Sequence, residues 1–226
     1  MAGGGVIRNR AKDPEWLTAR GTWAFAKYER TGRPEALEAA VAAFRQAAAA
    51  ADPADPSSPM YLSNLGAALR ARFERAGDGA DLDAGIGTGR RAVELAAAGD
   101  PHLPFYLSNL GNSLYFRFGW AGDGADLDAA IDAGRRAVAA IPASDPNLAV
   151  ALSNLGVSLR ARFKRAGDGA DLDAAIDAGS QAVEITPPGH SGLAGRLSNL
   201  GAALQARFGR EGDGADLDAA IGCPPG

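Results

Sequence analysis

One cysteine, two histidines and an aromatic share of 7% leave this 226-residue chain little from which to build a catalytic or metal centre. Cys223 alone cannot close an internal disulfide. Even with His102 and His190 it falls short of the four ligands of a structural zinc site. Basic residues do not prevail: 23 Lys+Arg stand against 27 Asp+Glu, a net charge of −4. That balance argues against the broad basic face of a nucleic-acid binder. No stretch approaches the roughly 20 apolar residues that span a bilayer, and Met1 to Trp16 has no signal-peptide apolar core. No Gly-rich phosphate loop ends in Gly-Lys-Ser/Thr. His102 and His190 sit among Pro and Gly with no recurring Ser or Cys partner. These absences predict no enzyme activity, no cofactor or metal, no nucleic-acid or membrane partner, and a reducing cytoplasm.

What the chain has is repetition. Leu-Ser-Asn-Leu-Gly begins at Leu62, Leu107, Leu152 and Leu197, at a constant interval of 45 residues. A fixed period of this length marks a stacked array, whose units bury a core only against their neighbours. The register gives units 13–57, 58–102, 103–147 and 148–192, with 193–226 truncated, after a disordered leader 1–12. The first unit keeps the spacing without the motif: Leu17, Gly21 and Tyr28 stand for Leu62, Gly66 and Phe73, while Ala19 and Arg20 replace Asn64 and Leu65. A terminal unit facing water is expected to be atypical. At the other end, Gly222 to Gly226 interrupts the last helix after Ala220-Ile221, which reads as a fragment or a truncation.

Each unit reads as a helical hairpin, and nothing in the chain alternates as a strand does. In the second unit, helix A is expected over about 59–75, where Leu62, Leu65, Gly66, Leu69 and Phe73 form one apolar stripe. Residues 76–80 break it, and Asp81 is the expected N-cap of helix B, with Asp83 in its first turn. Helix B lacks an aromatic after Phe44; Gly89, Gly134 and Gly179 follow in its register. Helix A adds Phe73, Phe118, Phe163 and Phe208, so the glycines are expected to make room for these rings. Gly85 replaces an alanine at about 1 kcal/mol in helix propensity. The aspartates of residues 77–83 and their copies lack EF-hand spacing and a twelfth-position glutamate, and turn and cap chemistry accounts for them.

The small and large positions resemble tetratricopeptide repeats: Leu65-Gly66 and its copies in helix A, Ala130, Ala137, Ala175 and Ala182 in helix B, and closing Pro142 or Pro187. The resemblance covers about 13–226, with units longer than usual and nearer the kinesin light chain type. It implies an all-α solenoid, a right-handed superhelix of antiparallel helix pairs. The run from Asp126 to Val138 also resembles actinobacterial arrays that accompany a CHAT protease domain.

Asn64, Asn109, Asn154 and Asn199 recur two residues after the first motif leucine, about 200° around the helix from it. They are expected on the concave wall, with Asn112 one turn on. The resemblance implies that such asparagines bond a peptide backbone; the structural alternative is a bond to the neighbouring repeat. Phe105 and Phe116 are expected on the same side, in an aromatic-rich third unit, either as binding anchors or as fillers of the gaps between repeats. Arg70 and Arg160 lie nearer the groove, whereas Arg72, Arg117, Arg162 and Arg207 read as a flank pairing with the aspartate-rich turns. The expected function is a protein- or peptide-binding scaffold. The alternatives are the regulatory array of a larger CHAT-type enzyme, or self-association through the open C-terminal repeat.

Overall fold

The computed structural model describes residues 12–212, 214–216 and 219. Residues 1–11 of the leader and the end of the fifth unit, with Cys223, lie outside the described residues. Nine helices are found among those described: α1 (Pro14–Thr31), α2 (Pro34–Ala50), α3 (Ser58–Ala76), α4 (Gly79–Leu95), α5 (Leu103–Ala121), α6 (Gly124–Ala140), α7 (Asn147–Ala166), α8 (Gly169–Glu184) and α9 (Leu193–Glu211). The chain forms two compact units, Met1–Phe116 and Arg117–Gly226, whose boundary falls inside α5. In the first, α1 packs on α2, α2 on α3 and α3 on α4; in the second, α6 packs on α7, α7 on α8 and α8 on α9. Both are the expected all-α stacks of helical hairpins.

The turns inside the hairpins are two residues long, shorter than the sequence suggested. Gly77 takes φ 74°, the left-handed conformation that costs glycine least, and its N–H donates to the Phe73 carbonyl. Asp78 follows in extended backbone and accepts from Ala80 N–H at 3.0 Å. The N-cap is therefore Asp78, not Asp81, and α4 starts three residues earlier than expected. Asp123 and Asp168 cap α6 and α8 in the same way. Asp81 lies in the first turn of α4, and the expected first-turn Asp83 lies beyond it.

Backbone proximity, not a ring, explains the glycines of the hairpin. A Cβ on Gly66 would lie 3.0 Å from the Gly85 carbonyl oxygen, and one on Gly85 would lie 3.1 Å from that of Gly66. The helices of this hairpin cross nearly backbone to backbone. Gly89 serves the next contact outward: its Cβ would sit 3.3 Å from Leu110 Cδ1 on α5. Gly134 receives Leu155 and Gly179 receives Leu200 at 3.2 Å. The helix B glycines thus accommodate the motif leucine of the following helix A, which corrects the expectation that they make room for phenylalanine. In the first repeat Phe44 holds this register, and its ring lies where a Gly21 side chain would be, 2.6 Å from the absent Cβ.

Tyr106 is among the largest fully buried side chains. Burial, then the Asp100 carboxylate, pushes its phenol up to about 12 from the usual 10.0. A raised folded-state value means that its contribution is complete below pH 10 and lost as pH rises toward 12. We expect about 2 kcal/mol of stability to be lost between these limits. Denaturant midpoints of wild type and Tyr106→Phe across that range test this: the variant's curve should be flatter by that amount.

Candidate functional site

The arginine flank is more ordered than surface charge. Arg72 lays its guanidinium along Asp81, Nε to Oδ2 at 2.7 Å and Nη2 to Oδ1 at 2.5 Å, while Nη1 donates to Glu38 on the preceding hairpin at 3.0 Å. Arg162 grips Asp171 and Asp128 in the same way, and Arg207 grips Asp216 and Asp173. Arg117 forms the same two-point fork on Asp126. Such two-point pairing uses the planar guanidinium fully, and the acceptors are buried. Hydrogen bonding to these carboxylates holds Arg72, Arg162 and Arg207 above the ordinary arginine value, and Arg207 pulls Asp216 below the usual carboxylate range. These four arginines therefore bind helix A to the turn beyond it and, where Nη1 reaches back, to the preceding helix B.

The asparagines divide into two kinds. Asn109 Nδ2 donates to Ser63 Oγ at 3.0 Å, and Asn199 Nδ2 to Ser153 Oγ at 3.1 Å, each on the preceding helix A. Both serines are buried. These two amides help join successive A helices, as the structural alternative foresaw. Asn64 and Asn154 are half-buried and have no side-chain partner among the described residues. Each compact unit thus carries one amide spent on a neighbour and one with donors and acceptor still open.

Arg70 and Phe116 meet. The guanidinium carbon lies 5.3 Å from the ring centroid, and Arg70 Nη1 also pairs with Glu74 one turn along α3. Tyr115 stands edge-on to Phe116 at 6.1 Å. Asn112 is half-buried on α5. Phe105 is 49% exposed and edge-on to Tyr106 at the start of the same helix. Asn64, Arg70, Phe105, Asn109, Asn112 and Phe116 all belong to the first compact unit, on α3 and α5. In the second unit Arg160 has the register of Arg70, but Lys164 stands one turn on where Glu74 would be. The Nε of Arg160 is buried without a hydrogen-bond partner, as is that of Arg70.

Two features escaped the sequence reading. Ser63 and Ser153 are receptors for the next repeat's amide, although each is adjacent to an asparagine in the motif and could have been read from it. In the second unit, buried Arg196 takes the register of Tyr61 and Tyr106 and brings Nη1 to 3.4 Å from His190 Nδ1. His190 itself takes the place of Asp55, Asp100 and Asp145, accepting the N–H two residues on as they do. Among the described residues no cluster of His, Cys, Asp and Glu could hold a metal ion, and no helix is long and apolar enough to cross a membrane.

No family model matches this chain, and no curated protein matches its sequence. Solved structures do match over nearly its full length. A putative kinesin light chain from Podosopora anserina with nearly identical tetratricopeptide-like repeats aligns at TM-score 0.65 and 14% identity, covering 94% of this chain and 96% of its own. YrrB, a tetratricopeptide-repeat protein described as having an unusual peptide-binding site, aligns at 0.59 and 18%, covering 96% and 90%. MamA aligns at 0.58 and 19%, covering 94% and 92%. The fold is that of tetratricopeptide-like helical arrays.

Proposed function

We propose that this chain is a protein-interaction scaffold that captures an extended peptide on the A-helix face of its first compact unit. The observation that carries the reading is the meeting of Arg70 with Phe116 on the two helices that also bear Asn64, Asn109 and Asn112. Asn64 offers an open donor and acceptor to a peptide backbone, and Phe116 offers an apolar wall. The Arg70 guanidinium is neutralised only by a partly exposed carboxylate one turn away. In the second unit Asn154 and Arg160 supply a comparable pair, with Asn199 holding the neighbouring helix. The description of YrrB as a peptide binder supports this reading through a shared fold.

The test begins by selecting a binder from a displayed random dodecapeptide library and resynthesising it. Asn64→Ala combined with Asn112→Ala should weaken that peptide at least tenfold while the melting temperature stays within about 2 °C, since neither side chain bonds within the array. Affinity unchanged in the double variant, or a peptide that maps to another face, would remove the proposal. Asn109→Ala is a poorer probe, because it also strips buried Ser63 of its partner.

A further inference from the structure

The first repeat carries a second surface, on the side of α1 away from α3. On α3, Tyr61, Leu65 and Ala68 pack against α2, and Arg72 reaches Glu38 there. This set, spaced at 0, 4, 7 and 11 residues, is what a helix A presents to a preceding helix B. The same register on α1 reads Trp16, Arg20, Trp23 and Lys27. Trp16 is 41% and Trp23 67% exposed. Arg20 lies over the Trp16 ring at 5.8 Å and Lys27 over the Trp23 ring at 5.2 Å. Neither cation has an acidic partner among the described residues.

The arginine clamp is also missing here. Lys27 stands for Arg72, Ala36 for the buried Asp81, and Arg33 for the capping Asp78. Where the later repeats place a carboxylate, the first repeat has a cavity of about 360 Å³ lined by Trp23, Lys27, Arg33, Glu35, Ala36 and Ala39. A face built only to meet water would be polar. This one sets Trp23, Lys27 and Arg33, with Glu35 as the one acid, around a cleft that in its sister repeats faces a buried aspartate, and places Trp16 and Arg20 beside it. Large exposed apolar groups rimmed by charge mark an interaction surface.

We propose that this face docks an acidic amphipathic helix presented by another protein. Its chemistry is that of the helices which occupy the equivalent site within the array. Their seam of small residues, such as Gly134 and Gly179, receives Leu155 and Leu200 internally and would here lie over Arg20, which holds that register, with the indoles of Trp16 and Trp23 packing to either side of it. An acid near the helix start, equivalent to Glu38, Asp128 or Asp173, pairs with Lys27 and Arg33 at the cleft. The partner thereby completes in trans the clamp that the first repeat lacks, and the charges agree in sign. This surface is separate from the Asn64–Phe116 surface and does not depend on peptide capture there.

The test uses the full chain with Trp120→Phe, so that fluorescence reports Trp16 and Trp23 alone. The probe is a helix-stapled peptide with the sequence of α8, residues 169–184, which carries four acids and no Lys or Arg. Titration should give a saturable blue shift. Lys27→Glu should weaken binding at least tenfold, and a probe with Asp173→Lys should restore it. Trp23→Ala should abolish the shift without moving the melting temperature, because the ring is mostly in solvent. Absence of a saturable shift, or affinity indifferent to Lys27→Glu, overturns the proposal. Light scattering that shows a self-association lost in Trp23→Ala would assign the face to a second copy and overturn it equally.

Discussion

Asp171→Ala lowers the stability of the second compact unit by about 3 kcal/mol. The carboxylate is buried in the first turn of α8 and accepts both Nε and Nη2 of Arg162 at 2.7 and 2.6 Å. Removing it leaves the guanidinium with only Asp128 Oδ1, at 3.0 Å and on an exposed side chain. Breaking one partner costs more than the pair is worth, because two guanidinium donors of the half-buried Arg162 lose their acceptor. Two denaturant curves separate these effects. The single variant should lose the full amount, whereas Arg162→Met with Asp171→Leu, which removes both charges, should recover at least half. A loss under 1 kcal/mol in the single variant would make the fork a surface pair of small worth.

Gly66→Val costs about 3 kcal/mol, the upper end of ordinary overpacking. Even the first carbon of a side chain would lie 3.0 Å from the Gly85 carbonyl oxygen and 3.2 Å from Thr88 Oγ1, so α3 and α4 must separate. The carbonyl cannot rotate away, because it belongs to the helix ladder. Gly87→Ala on the same α4 is the opposite case. Nothing lies within 4 Å of its Cβ, so the change should add up to about 1 kcal/mol through helix propensity. Thermal melts of the two variants should therefore move in opposite directions. A Gly66→Val protein that melts with wild type would mean the hairpin crossing is loose.

The hairpin plan was legible because period and stripe are local facts: the 45-residue interval and the spacing of Leu62, Leu65 and Leu69 need no knowledge of what they touch. The N-cap was misread because Asp78 and Asp81 are equally good cappers by residue type. The left-handed turn at Gly77 places Asp78 first, and Arg72, nine residues before Asp81, recruits the other. Neither fact is visible in propensity. The glycines of helix B were seen as vacancies, but their occupants come from the next repeat, so reading one unit alone named the wrong guest. The asparagine face was deduced from angle, yet which amides are spent depends on the serine of the previous copy. The α1 surface is not legible in the motif: the first unit lacks Leu-Ser-Asn-Leu-Gly, and its indoles and cations stand out only when α1 is set in register with the later A helices.

Phe44 has a consequence for how the array keeps count. Units this alike can pair out of frame, since a chain slipped by one whole repeat meets nearly the same leucines, glycines and aspartates. Phe44 is the helix B ring that has no copy at Gly89, Gly134 or Gly179, and it needs Gly21 bare beneath it. A hairpin joining α1 to any later helix B would leave that bare site empty, and α2 placed against another helix A would have to seat an extra ring. The ring therefore sets the first hairpin apart from its sisters, although every helix A keeps a glycine at the register of Gly21.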